Sequence, residues 1–325
     1  MRRIDRAFVA GHRGLVGSAI ERALRQQGGV ELLLRTRAEL DLTDARAVDE
    51  FFAQYRPDHV YLAAARVGGI LANQTHPADF IRDNLAIQQN VITSAHRHGV
   101  DRMLFLGSSC IYPKLAPQPL CEAYLLTGAL EPTNRAYAVA KIAGIEMCWS
   151  FNRQLGTQYL CAMPTNLYGP GDNYHAEHGH VIPGLMRRVH DAKESGRASV
   201  QVWGTGTPRR EFLYCDDMAS ACLHLMSLPD TEFRRLLGSM HTDDVFDPPI
   251  VNVGVGEDVT IAQLASLVCE TVGFKGGLKF DTSRPDGTPR KLLDVSKLQS
   301  TGWKPRVPLR EGLQAAYVDF QGRYG

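Results

Sequence analysis

The sequence predicts an α/β protein, a doubly wound parallel sheet followed by a smaller C-terminal α/β region. Two observations carry the sheet. Short apolar runs alternate with helix-period stretches from residue 6 onward, and parallel strands need such crossover helices. The first strand-to-helix junction is a glycine turn, Gly11-His12-Arg13-Gly14-Leu15-Val16-Gly17, in the strand–turn–helix context of a dinucleotide-binding unit. A third observation sets the division. Composition turns polar after Gly171, so residues 1–170 are expected to bind the dinucleotide, with returning segments near 211–227 and 249–256. Residues 171–325 then form most of the second domain. At 325 residues the chain exceeds the usual size of one core.

Taken in order, Ala7-Phe8-Val9-Ala10 is an apolar run within a strand over 6–10. Val16, Ile20, Ala23 and Leu24 share one face of the helix behind the turn. The glycines are spaced G-x-x-G-x-x-G, and glycine lets a backbone approach a pyrophosphate at a helix N-terminus. Alone, the spacing also fits a turn that holds no ligand. The second strand covers 30–34. Arg37 lies 20 residues beyond Gly17, where dinucleotide folds put an acidic residue on the adenosine ribose. Two guanidiniums, Arg37 and Arg13, favour a 2′-phosphate, hence NADP over NAD. The plainer alternative is a pair of solvated surface arginines. Asp41 to Asp44 reads as a turn and cap, and 44–55 as a helix. Strands are expected over 60–65, 100–106 and near 158–162, with a helix over 77–98. In the second half the spacing predicts a helix from 181, a strand at 200–203, a helix capped by Asp216-Asp217, a strand from 250 and a helix over 260–272. Polar or charged loops fill 239–249 and 280–293.

Composition excludes several partners. Hydrophobic residues make up 44%, charged residues 22%, and the formal net charge is +1, which gives no footprint for nucleic acid or an acidic membrane. The seven cysteines lie scattered, without C-x-x-C or a zinc-type Cys/His spacing. They read as reduced thiols in a cytoplasmic protein, with no metal expected. No stretch reaches about 18 consecutive apolar residues.

Chemistry concentrates between 105 and 141. The hydrophobic run ending at Leu106 is followed by Gly107-Ser108-Ser109-Cys110, then a Pro-rich loop, then Tyr137-Ala138-Val139-Ala140-Lys141. Tyr and Lys four apart share a helix face. An ammonium beside a phenol stabilises the phenolate, making tyrosine a usable acid near neutral pH. A serine at the preceding strand end is placed to bond the same substrate oxygen. Cys110 by itself has the pattern of a small buried hydrophobe.

Together the glycine turn, the strand-end serine and Tyr-x-x-x-Lys resemble the extended branch of the short-chain dehydrogenase/reductase superfamily. Further segments narrow the resemblance: Ala65-x-Val67-Gly68-Gly69-Ile70, Gly107 to Lys114, Pro164-Thr165-Asn166-Leu167-Tyr168, His180-Val181-Ile182-Pro183, Arg210-Glu211-Phe212 and Pro285 to Lys291. Over nearly the full length the chain is similar to the GDP-L-fucose synthase family. That resemblance implies 3,5-epimerisation of GDP-4-keto-6-deoxy-D-mannose, then reduction at C4 with NADPH. It implies a homodimer built on two helices per subunit and a C-terminal domain that binds the GDP-sugar. It assigns Cys110 and His180 to proton exchange, Tyr137 and Ser108 to the C4 oxygen, and Lys141 to Tyr137 and the nicotinamide ribose. To the cofactor it assigns Gly11, His12, Arg13, Gly14, Leu15, Val16 and Gly17, then Arg37, Asp41 and Leu42. Leu106, Gly107, Ser108 and Ser109 follow, with Lys141, Pro164, Thr165, Asn166, Leu167 and His180. Arg188, Trp203, Arg210 and Asp286 are assigned to the substrate. Asp286 also fits a plain turn residue before Gly287, and Trp203 a core residue. Two alternatives remain beside this reading. One is a nucleotide-sugar 4-epimerase or 4-reductase, which has no use for a Cys110/His180 pair. The other is a non-catalytic NADP-binding regulator.

Overall fold

The structure is a computed structural model that describes residues 5–175, 179–239, 246–283 and 286–324. His178, most of the polar loop before Pro249, and Arg284-Pro285 lie outside the described residues. The first half runs β1 (Arg6–Ala10), α1 (Leu15–Gln27), β2 (Glu31–Leu33), α2 (Ala45–Tyr55), β3 (His59–Leu62), α3 (Ile70–Thr75), α4 (Pro77–Arg97), β4 (Arg102–Leu106), α5 (Arg135–Leu155) and β5 (Gln158–Pro164). Then come β6 (Asn166–Tyr168), α6 (Val181–Glu194), β7 (Ser199–Trp203), β8 (Arg209–Arg210), β9 (Phe212–Tyr214), α7 (Cys215–Ser227) and α8 (Asp230–Arg235). The chain ends with β10 (Ile250–Val253), β11 (Val259–Thr260), α9 (Ile261–Val272), β12 (Gly277–Asp281), β13 (Arg290–Lys291), α10 (Ser296–Gln299) and α11 (Leu309–Tyr324).

Among the described residues the main sheet has six strands in the order β10-β5-β4-β3-β1-β2, all parallel. The chain leaves β1 to one side for β2 and to the other for β3, so the order reverses at β1. Ligands of open parallel sheets sit at that switch point, beyond the carboxyl ends of the strands. Strand residues alternate between two cores, as a period of two requires. Phe8, Met103, Phe105 and Cys161 face α2, α4 and α5. Val9, Leu104, Leu106 and Ala162 face α1 and α7. A third core joins α6, α9 and α11 through Met186, Val189, Leu264, Val268 and Phe320.

Local chemistry fixes the helix ends. The Asp44 carboxylate accepts from the N–H groups of Arg46 and Ala47 and starts α2 as expected. Thr260 and Gln263 form a reciprocal capping box on α9. Three expectations need correction. Asp216 and Asp217 do not cap α7: they lie in its first turn, and Tyr214 holds the cap position. The Asp217 carboxylate instead accepts from Arg306 and Val307 N–H at 3.0 and 2.8 Å, tying down the loop before α11. The supposed charged loop over 280–293 contributes strand residues at both ends, because β12 pairs with β7 and β13 with β8. The third predicted strand ends at Leu62 rather than Ala65, after which Arg66 is bound on its backbone by Asn84 and on its guanidinium by Asp83.

Candidate active site

The glycine turn is set by close packing. Gly11 has φ +86°, and a Cβ there would lie 2.7 Å from Ala64 backbone atoms. At Gly17 a Cβ would come within 2.1 Å of the Gly11 carbonyl. Gly14 differs, because its Cβ would meet only the Gly11 carbonyl at 3.4 Å, an ordinary contact. The protein's own packing therefore leaves glycine at 14 unexplained. A backbone approaching a pyrophosphate explains it. The Nδ1 atom of His12 is buried without a hydrogen-bond partner, and α1 has no acidic residue in its first turn. These features fit a dinucleotide diphosphate. Beyond β2, Arg35 is taken up by the rings of Tyr55 and Phe51, at 4.7 and 5.5 Å. Arg37 keeps its side chain 78% exposed and sits 3.7 Å from Asp41. Arg13 lies in electrostatic range of Glu39 in the same loop, and Glu39 is held low chiefly by hydrogen bonds from Thr36. Asp41 accepts from Thr43 N–H and hydroxyl, and Leu42 carbonyl from Asn90.

At the end of β4 the Ser108 hydroxyl accepts from Cys110 N–H at 3.3 Å, opening a short turn of helix over Ser109–Ile111. The Lys141 ammonium, 3% exposed, donates to the Leu106 carbonyl at 2.7 Å. It lies 4.7 Å from the Phe105 ring centroid and 5.8 Å from that of Tyr137. The expected direction of the tyrosine shift is reversed in this structure. Burial pushes the Tyr137 phenol up, with Cys110 adding to the rise. Lys141 is itself pulled down to about 8 by burial, against Cys110 and Cys161. The physical reason is desolvation: both charged forms lose water, and the ammonium is committed to a carbonyl. Burial also raises the Cys110 thiol, opposed by Lys291, the Ser108 hydroxyl and Lys141.

His180 is exposed and occupies the N-cap position of α6, its carbonyl accepting from Gly184. Two turns along, Arg188 has Nε and Nη1 buried without partners, and its guanidinium stacks 4.9 Å over Trp203. Burial holds the Arg188 and Arg210 guanidiniums below their ordinary value. Unmet buried donors of this kind fit a sugar-nucleotide diphosphate. Asp286 is already engaged: its two oxygens accept from Thr205 N–H and hydroxyl at 2.9 and 2.7 Å. Pro164 closes β5, and Thr165 and Asn166 both donate to the Glu211 carbonyl, at 3.2 and 2.8 Å.

Two residues of this region escaped the sequence reading. Glu211 is fully buried. It accepts from Val255 and Gly256 N–H at 2.6 and 2.7 Å through one oxygen, and from Leu293 N–H at 3.0 Å through the other. Lys291 lies in electrostatic range of Cys110 and Arg210. Their only signal was membership of the Arg210-Glu211-Phe212 and Pro285–Lys291 segments.

A model of the NAD dependent epimerase/dehydratase family matches residues 7–236. The chain belongs to this family. It is 55% identical over 316 residues to the GDP-L-fucose synthase of Escherichia coli (strain K12), covering 97% of this chain and 96% of that one. With GDP-L-fucose synthase 1 of Arabidopsis thaliana it shares 57% over 310 residues, 95% of this chain and 91% of the relative. Among solved structures it resembles a GDP-mannoheptose C4 reductase from Campylobacter jejuni with NADP bound. There the TM-score is 0.87 at 37% identity, covering 99% of both chains. Nicotinamide dinucleotide chemistry is thus the family's common ground.

Proposed function

We propose that this chain converts GDP-4-keto-6-deoxy-D-mannose to GDP-L-fucose with NADPH, by 3,5-epimerisation followed by reduction at C4. The relatives named GDP-L-fucose synthase support the substrate, at 55% and 57% identity over nearly the full length. The observation that carries the two-step reading is the thiol. Cys110 stands within electrostatic range of both Tyr137 and Lys141, and a plain 4-reductase has no use for it. The NADP-bound C4 reductase among the structural relatives keeps the plain reductase in view as a second reading.

NADPH, when bound, supplies the hydride for C4. Every other operation falls to the chain. Tyr137 and Ser108 hold the C4 oxygen and stabilise negative charge there as an enolate forms. Cys110 and His180 exchange protons at the carbons beside the ketone, whose hydrogens the carbonyl acidifies. Tyr137, kept protonated by burial, delivers its proton to the C4 oxygen at reduction. Lys141 helps hold the nicotinamide ribose. Gly11 to Gly17 and the start of α1 take the dinucleotide diphosphate, and Arg13 and Arg37 take its 2′-phosphate. Leu106 to Ser109 and Pro164 to Leu167 wall the nicotinamide end, with Asp41 and Leu42 at the adenine end. Arg188, Arg210 and Trp203 hold the GDP end of the substrate, and Asp286 shapes that pocket through Thr205. These assignments divide the chain into a cofactor domain over 1–170, with returning segments near 211–227 and 249–256, and a substrate domain formed by most of 171–325. We infer a homodimer in the cytoplasm, where seven free thiols persist.

The test is product analysis by NMR with the GDP-ketosugar and NADPH, paired with incubation in heavy water without NADPH. Deuterium at C3 and C5, and GDP-L-fucose on adding NADPH, is the expected result. Reduction without exchange selects the plain 4-reductase.

A further inference from the structure

Helix α4 meets Tyr137 through Phe80. Among the described residues no hydrogen bond holds the Tyr137 hydroxyl, so packing sets the direction in which the phenol points. The Phe80 ring, 3% exposed, meets the Tyr137 ring at a right angle, with centroids 6.4 Å apart and planes at 88°. That is the geometry of a favourable aromatic pair. Phe80 is itself clamped. The Arg66 guanidinium lies 5.6 Å from its ring centroid, anchored by Asp83 and Asp79 at 2.8 and 3.2 Å. Asn84, one turn along α4 and 2% exposed, donates to the Arg66 and Phe80 carbonyls at 3.0 and 2.8 Å and accepts from Arg66 N–H at 2.9 Å. At the tip of the ring, a Cβ on Gly68 would lie 3.0 Å from Phe80, so the loop after β3 closes against it. Asn73 pins that loop, donating to the Gly68 and Gly69 carbonyls at 2.8 and 3.0 Å. Another contact of the Tyr137 ring comes from its own helix, the Lys141 ammonium at 5.8 Å.

We propose that Phe80 is a positioning residue for Tyr137: clamped by Arg66, Asn84 and Gly68, it fixes the ring so that the hydroxyl aims at the C4 oxygen. This rests on the reading above that Tyr137 delivers its proton there, and it holds equally for the two-step enzyme and for the plain 4-reductase. A phenyl ring exchanges no proton, so Phe80 acts only through the place it gives Tyr137. Moving a reacting group by about 1 Å costs on the order of a hundredfold in rate. The contact therefore bears on the chemical step and leaves sugar and cofactor binding largely as they are.

The experiment pairs steady-state kinetics with fluorine NMR of the full chain labelled with fluorotyrosine, the Tyr137 resonance being assigned by its loss in Tyr137→Phe. Phe80→Leu and Phe80→Met remove the ring and keep an apolar filling. Each is expected to lower kcat for reduction of the GDP-ketosugar by about tenfold or more, with the KM values for sugar and NADPH within about threefold of the parent. The Tyr137 resonance is expected to shift or broaden, measured without sugar or cofactor. An unmoved resonance in whichever Phe80 variant folds overturns the proposal, and so does an unchanged kcat or an effect confined to KM. Tyr137→Phe that reduces at the parent rate overturns instead the reading of Tyr137 as the acid. The two failures are told apart because the resonance is read without turnover.

Discussion

Lys141 illustrates what a buried ammonium costs the fold. Burial brings it down to about 8 from an ordinary 10.5, so the folded protein resists the proton that the unfolded chain accepts. Between those values the unfolded state binds more protons, and stability rises with pH. Below pH 8 the full penalty applies. Lys141→Met is therefore expected to abolish reduction while raising stability at pH 7 by about 1–3 kcal/mol, less than the full shift because the Leu106 carbonyl loses its donor. The gain should fade as pH climbs from 8 toward 10.5. Thermal denaturation of both proteins across that range checks it, and an equal or lower melting temperature at pH 7 counts against it. Cys110 is a further residue whose surroundings decide its role. A cysteine at a strand end reads as filler until its place is seen, with its N–H donating to the Ser108 hydroxyl at 3.3 Å.

At the scale of elements, Glu211 joins pieces that lie far apart in sequence. It bonds the turn after β10, the second residue after β13, and through its carbonyl the β5–β6 junction. Glu211→Ala leaves three N–H groups without their acceptor, the Leu293 N–H buried and those of Val255 and Gly256 part-buried, at up to about 1–3 kcal/mol for the buried one and less for the others. A loss of about 3 kcal/mol or more in urea unfolding is expected. Glu211→Gln should cost less, since an amide oxygen serves one side while its NH₂ meets Leu293 N–H as a second donor. Equal stabilities for the three proteins would remove Glu211 as a tie. The α4–α5 pair works differently. It is joined by the bond from the Gln88 side chain to the Ala140 carbonyl at 2.7 Å. Gly144 lets it close, since a Cβ there would lie 2.7 Å from Gln88 Oε1 of α4 and 2.5 Å from the Phe105 ring of β4. That packing holds Tyr137 and Lys141 against the end of β4.

For the whole molecule, the six parallel strands present their carboxyl ends to one side, and Ser108, Thr165 and the glycine turn all follow strand ends there. The segment that carries His180 and Arg188 belongs to the third core, shared with α9 and α11. We expect the chain to associate as a dimer through α4 and α5, where Val139 and Leu155 are 41% and 43% exposed. Sedimentation velocity at micromolar concentration should then give twice the chain mass, and a purely monomeric boundary would refute it. Among the described residues no helix is long and apolar enough to cross a membrane.

What the sequence determined alone is what local physics encodes. Apolar alternation marked the strands, the cap at Asp44 marked a helix start, and the helical period put Tyr137 and Lys141 on one face. Strand ends slipped by up to three residues, because a strand stops where its neighbour stops. Only tertiary structure decided the rest. Whether Asp217 caps a helix or ties a distant loop depends on which N–H groups are left unpaired nearby. Whether Tyr137 is lowered by Lys141 or raised by burial depends on how much water the fold removes. That Lys291 pairs with Arg210, 81 positions earlier in the chain, follows from β13 lying beside β8. No pattern along the chain carries charge–charge proximity across such a separation, since it arises only once the strands are paired.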